Sequence, residues 1–210
     1  MKSIIECRLY GILDLAYAAE PDAERVAQEM IEGGVDLIQL RDKKSDMTAV
    51  ANLATRLHAI ASAAGVPLIV NDYASVAAHV PVEGVHLGQD DDSVASAREK
   101  AKRPIMVGKS THSLEQANAA QREGADYIGF GPIFATPTKP DYEPIGLHDI
   151  KRVHADVKLP IFCIGGIQID NLGEVIAAGA KRVAIVSGLL KAPDIAKYAR
   201  ACKALLQPET

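Results

Sequence analysis

The run EGGVDLIQL at 32–40 decides how this chain folds, and it returns in altered form as EGADYIGF at 123–130 and AGAKRVAIV at 178–186. In each, a glycine reads as the left-handed stop of a helix, and the short apolar run behind it is too brief to start another. Similar runs stand at 9–13, 67–70, 84–87, 105–107 and 160–164, which makes eight expected strands. Between them apolar residues recur at helical spacing: Val26, Ala27, Met30 and Ile31; Val50, Leu53, Ala54, Leu57, Ile60 and Ala61; Leu172, Val175 and Ile176; Ile195, Ala199, Cys202 and Leu206. Ser113 and Gln116 have the spacing of a capping box and predict a helix start behind the fifth strand. Eight alternations of strand and helix over 1–210, without a linker, predict a compact single-domain α/β protein, a closed (β/α)8 TIM barrel. An open doubly wound sheet is the alternative. In either architecture the residues behind each strand face the ligand.

Composition narrows the function classes. Tryptophan is absent and aromatic residues make up 4%, so Val, Ile, Leu and Ala are expected to fill the core. A net charge of -4 argues against general binding of nucleic acid or an anionic membrane, both of which call for a basic face. Cys7, Cys163 and Cys202 are odd in number and far apart, so neither a disulfide framework nor a zinc site is expected, and a reduced cytoplasmic setting fits. Glu6 and Arg8 interrupt the apolar start that a signal peptide needs. No run approaches the roughly 20 apolar residues of a membrane span. A soluble enzyme of small molecules is the expectation, and a homo-oligomer is compatible with it.

Polar residues gather where the strands end. Gln39 and Arg41 share one strand face with Lys43 following, a cluster that suits an anion or plain solvation. Asn71-Asp72 closes the third strand, and Gln89-Asp90-Asp91-Asp92 follows the fourth. Two carboxylates on neighbouring strand ends suit Mg2+, and the same residues suit turn and helix-cap duty. Lys109-Ser110-Thr111-His112 follows the fifth strand, and a long, proline-stiffened loop carries Thr136, Thr138 and Lys139. Gly165-Gly166 and Val186-Ser187-Gly188 stand behind the seventh and eighth strands, where barrels bind phosphate. Cys163 reads as packing, and most of the histidines read as structural.

Taken together, QLRDK at 39–43, Asn71-Asp72, GVHLGQ at 84–89, STH at 110–112, GFGPIF at 129–134, TPTK at 136–139 and IGGI at 164–167 resemble thiamine phosphate synthase over nearly the whole chain. The resemblance implies a transferase. It would join 4-amino-5-hydroxymethyl-2-methylpyrimidine diphosphate to a thiazole phosphate, giving thiamine phosphate and pyrophosphate with Mg2+ as cofactor. It further implies Asp72 and Asp91 as metal ligands, with Asp90 as fallback. Arg41, Lys43, Asn71, Ser110 and Lys139 would hold the diphosphate, Gln39 the pyrimidine, and Thr136, Thr138, Gly166, Val186 and Ser187 the thiazole phosphate. Arg41, Lys43, Ser110 and Lys139 would be catalytic by stabilising the departing pyrophosphate, and the thiazole nitrogen would capture the pyrimidine cation.

The sequence departs from the common family pattern at Leu13, Tyr73 and Lys109. Lys109 is reminiscent of thiazole tautomerases of the same fold, in which His112 would act. A non-catalytic binder of thiamine-pathway phosphates and a generic phosphate-sugar barrel enzyme are the remaining rivals.

Overall fold

The computed structural model describes residues 1–136 and 143–206. Eight parallel strands close on themselves in chain order: β1 (Leu9–Asp14), β2 (Leu37–Arg41), β3 (Leu68–Asn71), β4 (Gly84–Leu87), β5 (Met106–Thr111), β6 (Tyr127–Phe130), β7 (Ile161–Ile164) and β8 (Val183–Ile185). β8 pairs with β1 through Leu9 opposite Val183, so the sheet has no edge. This excludes the open doubly wound sheet. Around it run α1 (Ala23–Glu32), α2 (Met47–Ala63), α3 (Val94–Ala101), α4 (Leu114–Arg122), α5 (Ile150–Asp156), α6 (Ile169–Ala177), the single turn α7 (Ser187–Leu190) and α8 (Ile195–Leu205). Between β3 and β4 a 3-10 stretch, Ala74–Ala78, takes the place of an α-helix.

The helix stops work as their sequences predict. Gly34, Gly124 and Gly179 have φ of 85°, 82° and 105°, a region closed to most side chains. Ser113 caps α4 by accepting from the Gln116 N–H at 3.2 Å, but the Gln116 side chain reaches back to the His112 N–H, one residue earlier than a capping box requires.

Two apolar layers follow from the period of two. Leu9, Leu13, Ile38, Leu40, Val70 and Val85 point outward to the helices, while Tyr10, Ile12, Leu37, Ile69, Tyr127, Phe162 and Ala184 fill the barrel. The interior is therefore not purely aliphatic. Tyr10, Tyr127 and Phe162 pack edge to face, with centroids 5.2 to 6.0 Å apart, so scarce aromatics are concentrated on the axis. Cys163 is fully buried on the outward layer, and burial pushes its thiol up to about 12, in keeping with packing.

β5 runs to Thr111, past the expected 105–107, so Lys109 and Ser110 are strand residues rather than loop. Polar side chains do not end this strand because each has a partner: Thr111 Oγ1 donates to the Gly129 carbonyl at 2.9 Å and Lys109 Nζ to the Asp92 carbonyl at 3.3 Å. Gly108 has to be small, since a Cβ there would lie 2.2 Å from Tyr127 Cζ.

At the pole where the strands begin, buried Asp36 accepts from Lys2 near the amino end, Lys203 in α8, and the Arg8 and Leu9 N–H groups at 2.8 and 3.0 Å. These bonds hold its carboxyl below the usual range even though burial pushes it up. No helix among the described residues is long and apolar enough to cross a membrane.

Candidate active site

Because side chains alternate along a strand, the inward positions that fill the barrel continue at the other pole into its mouth. Past Tyr10 and Ile12, β1 ends inward at Asp14; β2 continues from Leu37 to Gln39 and Arg41, and β3 from Ile69 to Asn71. A cavity of about 770 Å3, counting space open to solvent, occupies the mouth. Gln39, Arg41, Asn71, Ser110, Thr136, Gly166, Val186 and Ser187 all line it.

Arg41 is held by a carboxylate that the strand-end clusters do not single out. Its Nη1 donates to Asp14 Oδ2 at 2.5 Å, and the Asp14 side chain is 2% exposed. Asp14 Oδ1 accepts from the Ala16 N–H at 2.9 Å, so the carboxylate is fixed from both sides. The sequence does hold a signal for it, since period two from Tyr10 puts Asp14 on the inner face. Asn71 is buried, and among the described residues its Nδ2 has no hydrogen-bond partner. A buried amide donor left open toward a cavity is an anion or ligand contact in waiting.

Beside Asn71 the rim carries Lys43, Asp72 and Asp91. Lys43 pairs with Asp72, and the Asp91 carboxyl stands close enough to Asp72 to influence its charge. Burial and the Asp91 carboxyl raise the Asp72 carboxyl above its ordinary value, with Lys43 opposing. Asp91 is also pushed up by burial, but Asp72, the Gly88 N–H at 2.6 Å, Lys43 and Lys109 outweigh this and hold it low. Asp72 adopts φ 63°, a left-handed backbone that costs most L-residues about 1–2 kcal/mol. The next carboxylate, Asp92, is committed to Lys100 at 2.6 Å, which separates it in role from Asp91.

Two neighbouring carboxylates fit a hard divalent ion that completes its shell with water and substrate oxygens. Among the described residues there is no cluster of three metal-ligating side chains, so the pair is the candidate.

On the opposite arc, the Ile133 and Phe134 N–H groups donate to the Ile164 and Gly165 carbonyls at 2.8 and 3.0 Å, seating the loop behind β6 on the end of β7. Gly165 and Gly166 permit this contact: added Cβ atoms would lie 2.4 Å from Pro132 and 2.7 Å from Phe134 and Ala135. Thr138 and Lys139 lie outside the described residues. His112 donates through Nδ1 to the Gly131 carbonyl.

Residues 9–189 match the family model described as thiamine monophosphate synthase. The chain belongs to the thiamine monophosphate synthase family. A thiamine-phosphate synthase of Halalkalibacterium halodurans is 42% identical over 189 residues, 90% of each chain. One of Chloroflexus aurantiacus is 41% identical over 204 residues, 97% of this chain and 94% of its own. Among solved structures, the thiamine phosphate pyrophosphorylase of Pyrococcus furiosus superposes with a TM-score of 0.87 at 32% identity over 95% of each chain. A 3-hexulose-6-phosphate synthase, at 16% identity and a TM-score of 0.70, shares the fold. Membership in the thiamine monophosphate synthase family makes this chain a transferase acting on small phosphorylated substrates.

Proposed function

We propose that this chain, acting as one catalytic domain over 1–210, condenses 4-amino-5-hydroxymethyl-2-methylpyrimidine diphosphate with a thiazole phosphate to give thiamine phosphate and pyrophosphate. One observation carries the reading: a single mouth is flanked on one arc by Arg41, Asn71, Ser110 and the Lys43–Asp72–Asp91 cluster, and on the other by Thr136, Gly166, Val186 and Ser187. Two arcs suited to anions across one cavity fit two phosphorylated substrates.

Gln39 holds the pyrimidine, while Arg41, Lys43, Asn71 and Ser110 bind the diphosphate and stabilise the charge that grows on it as the C–O bond breaks. Lys139, by family resemblance, joins them. Thr136, Thr138, Gly166, Val186 and Ser187 hold the thiazole phosphate so that its ring nitrogen faces the forming cation. Asp72 and Asp91 would hold Mg2+, which when bound supplies charge neutralisation on the leaving group. The protein supplies no nucleophile, so its residues bind, orient and exclude water. Three cysteines that are buried and free fit a cytoplasmic protein.

The test is to incubate the purified protein with both substrates and Mg2+, following thiamine phosphate and pyrophosphate together, with EDTA as control. Equal, metal-dependent formation of both is expected. Ligand-induced thermal stabilisation without product would move the reading to a non-catalytic binder. Interconversion of thiazole tautomers without condensation would move it to the tautomerase.

A further inference from the structure

Five side chains on five strands form one hydrogen-bonded chain through the barrel. Gln39 Nε2 donates to the Tyr10 hydroxyl at 2.5 Å, and the Tyr10 and Tyr127 hydroxyls are 3.0 Å apart. Tyr127 meets His86 Nδ1 at 3.2 Å, and His86 Nε2 meets the Ser110 hydroxyl at 3.0 Å. Tyr10 is 2% exposed and Tyr127 fully buried, so a hydroxyl proton without an acceptor here would be a costly orphan.

Proton bookkeeping gives this chain a direction. The Tyr10 oxygen accepts an amide proton from Gln39, so its own proton goes to Tyr127. Tyr127 then gives its proton to His86 Nδ1. A neutral imidazole that accepts at Nδ1 carries its hydrogen on Nε2, which donates to Ser110. The Ser110 oxygen is thereby an acceptor toward the barrel, and its own proton turns to the cavity that Arg41 and Asn71 also line. If the Gln39 amide is turned so that its oxygen accepts from Tyr10, every bond reverses and Ser110 gives its proton to His86 instead. Both directions satisfy all the hydroxyls, whereas a mixed chain of neutral groups leaves one link with two protons or with none.

We propose that Tyr10, Tyr127 and His86 are positioning residues that tie the Gln39 amide to the Ser110 hydroxyl, so that pyrimidine recognition by Gln39 presents Ser110 to the diphosphate as a donor. The proposal rests on the synthase reading above. With its Nε2 engaged by Tyr10, Gln39 keeps its carbonyl oxygen for an amino group on the substrate ring. A ring offering an acceptor in that place would favour the turned amide, and Ser110 would then set a lone pair against phosphate oxygens. Ring identity and leaving-group stabilisation are coupled through the chain.

Tyr127→Phe cuts the chain at its middle and keeps the ring's contacts with Tyr10 and Phe162. The expected result is a fall in kcat of about tenfold, the worth of one hydrogen bond, with KM for the thiazole phosphate unchanged. In a Ser110→Ala background the same substitution should change kcat no further. Tyr10→Phe, one link nearer Gln39, gives the same pair of results and serves if Tyr127→Phe does not fold. Equal losses in both Ser110 backgrounds would overturn the proposal. A second measurement needs no turnover: 15N NMR of the substrate-free protein should show His86 neutral with its hydrogen on Nε2, and a hydrogen on Nδ1 would overturn the direction. Wild-type protein that makes no product would refute the synthase reading, leaving the tautomer to decide the chain's direction by itself.

Discussion

Replacing Asp14 by Asn keeps its shape and its acceptor for the Ala16 N–H but removes the charge that faces Arg41 at 2.5 Å. A hydrogen bond to a charged group contributes about 1.5–3 kcal/mol, and breaking a fully buried ion pair costs about 3–5 kcal/mol. The Arg41 side chain is 15% exposed at an open mouth, so water screens it and the lower figure applies, about 2 kcal/mol of stability. Two effects then compete in function. Removing the Asp14 charge beside the mouth favours an incoming anion, by less than the about 4 kcal/mol of a contact pair at an effective dielectric of about 20. Loosening Arg41 by on the order of 1 Å costs about 100-fold in rate. They act mainly on different quantities, because the diphosphate is already an anion when it binds and the first lowers chiefly KM, while the second falls on kcat. Asp14→Asn should therefore bind inorganic pyrophosphate at least as tightly by calorimetry, yet turn over about 10- to 100-fold more slowly in steady state. A folded variant with kcat unchanged or raised would refute the view that Asp14 positions Arg41.

Gly165→Ala should lower the stability measured by urea titration by about 3 kcal/mol, since φ is 99° and a Cβ would meet the Pro132 backbone at 2.4 Å; Gly173→Ala, with nothing within 4 Å, should stabilise α6 by about 0.5–1 kcal/mol. Asp72→Asn tolerates the left-handed backbone but removes a charged ligand, so the Mg2+ concentration for half-maximal activity should rise about tenfold or more, and an unchanged titration would remove Asp72 from the metal site. Lys139→Ala should lower kcat by about 10^2 to 10^3, and near-normal turnover would take Lys139 out of the mechanism. Burial pushes the His154 imidazole below its ordinary 6.5, so below that pH the unfolded chain binds the extra proton. Stability should fall with pH from 6.5 down to the folded value, by at most about 1.4 kcal/mol per unit, and His154→Gln should flatten that slope in denaturant titrations.

The barrel is legible because its signals are local: Gly34, Gly124 and Gly179 announce where helices stop, and each apolar run behind them is a strand wherever it pairs. The strand-end residues are legible for the same reason, since the fold assigns all of them to one pole. What the sequence hides depends on partners far away in the chain. Tyr10 and Tyr127 look like strand filler until the barrel closes and brings their hydroxyls together across 117 positions. His86, one histidine among several in the sequence, links Tyr127 to Ser110 only because Ser110 stands on the next strand. β5 reads short because Lys109 and Ser110 look like loop residues in isolation, and their satisfying partners lie outside the segment.

Asp36 has a consequence for handling this protein. Lys2 and Lys203 bring both the beginning of the chain and its last helix to one carboxylate, at the pole away from the cavity. An affinity tag, a fused reporter or a surface tether attached before Met1 therefore hangs behind the barrel, and the immobilised protein presents its open mouth to solution.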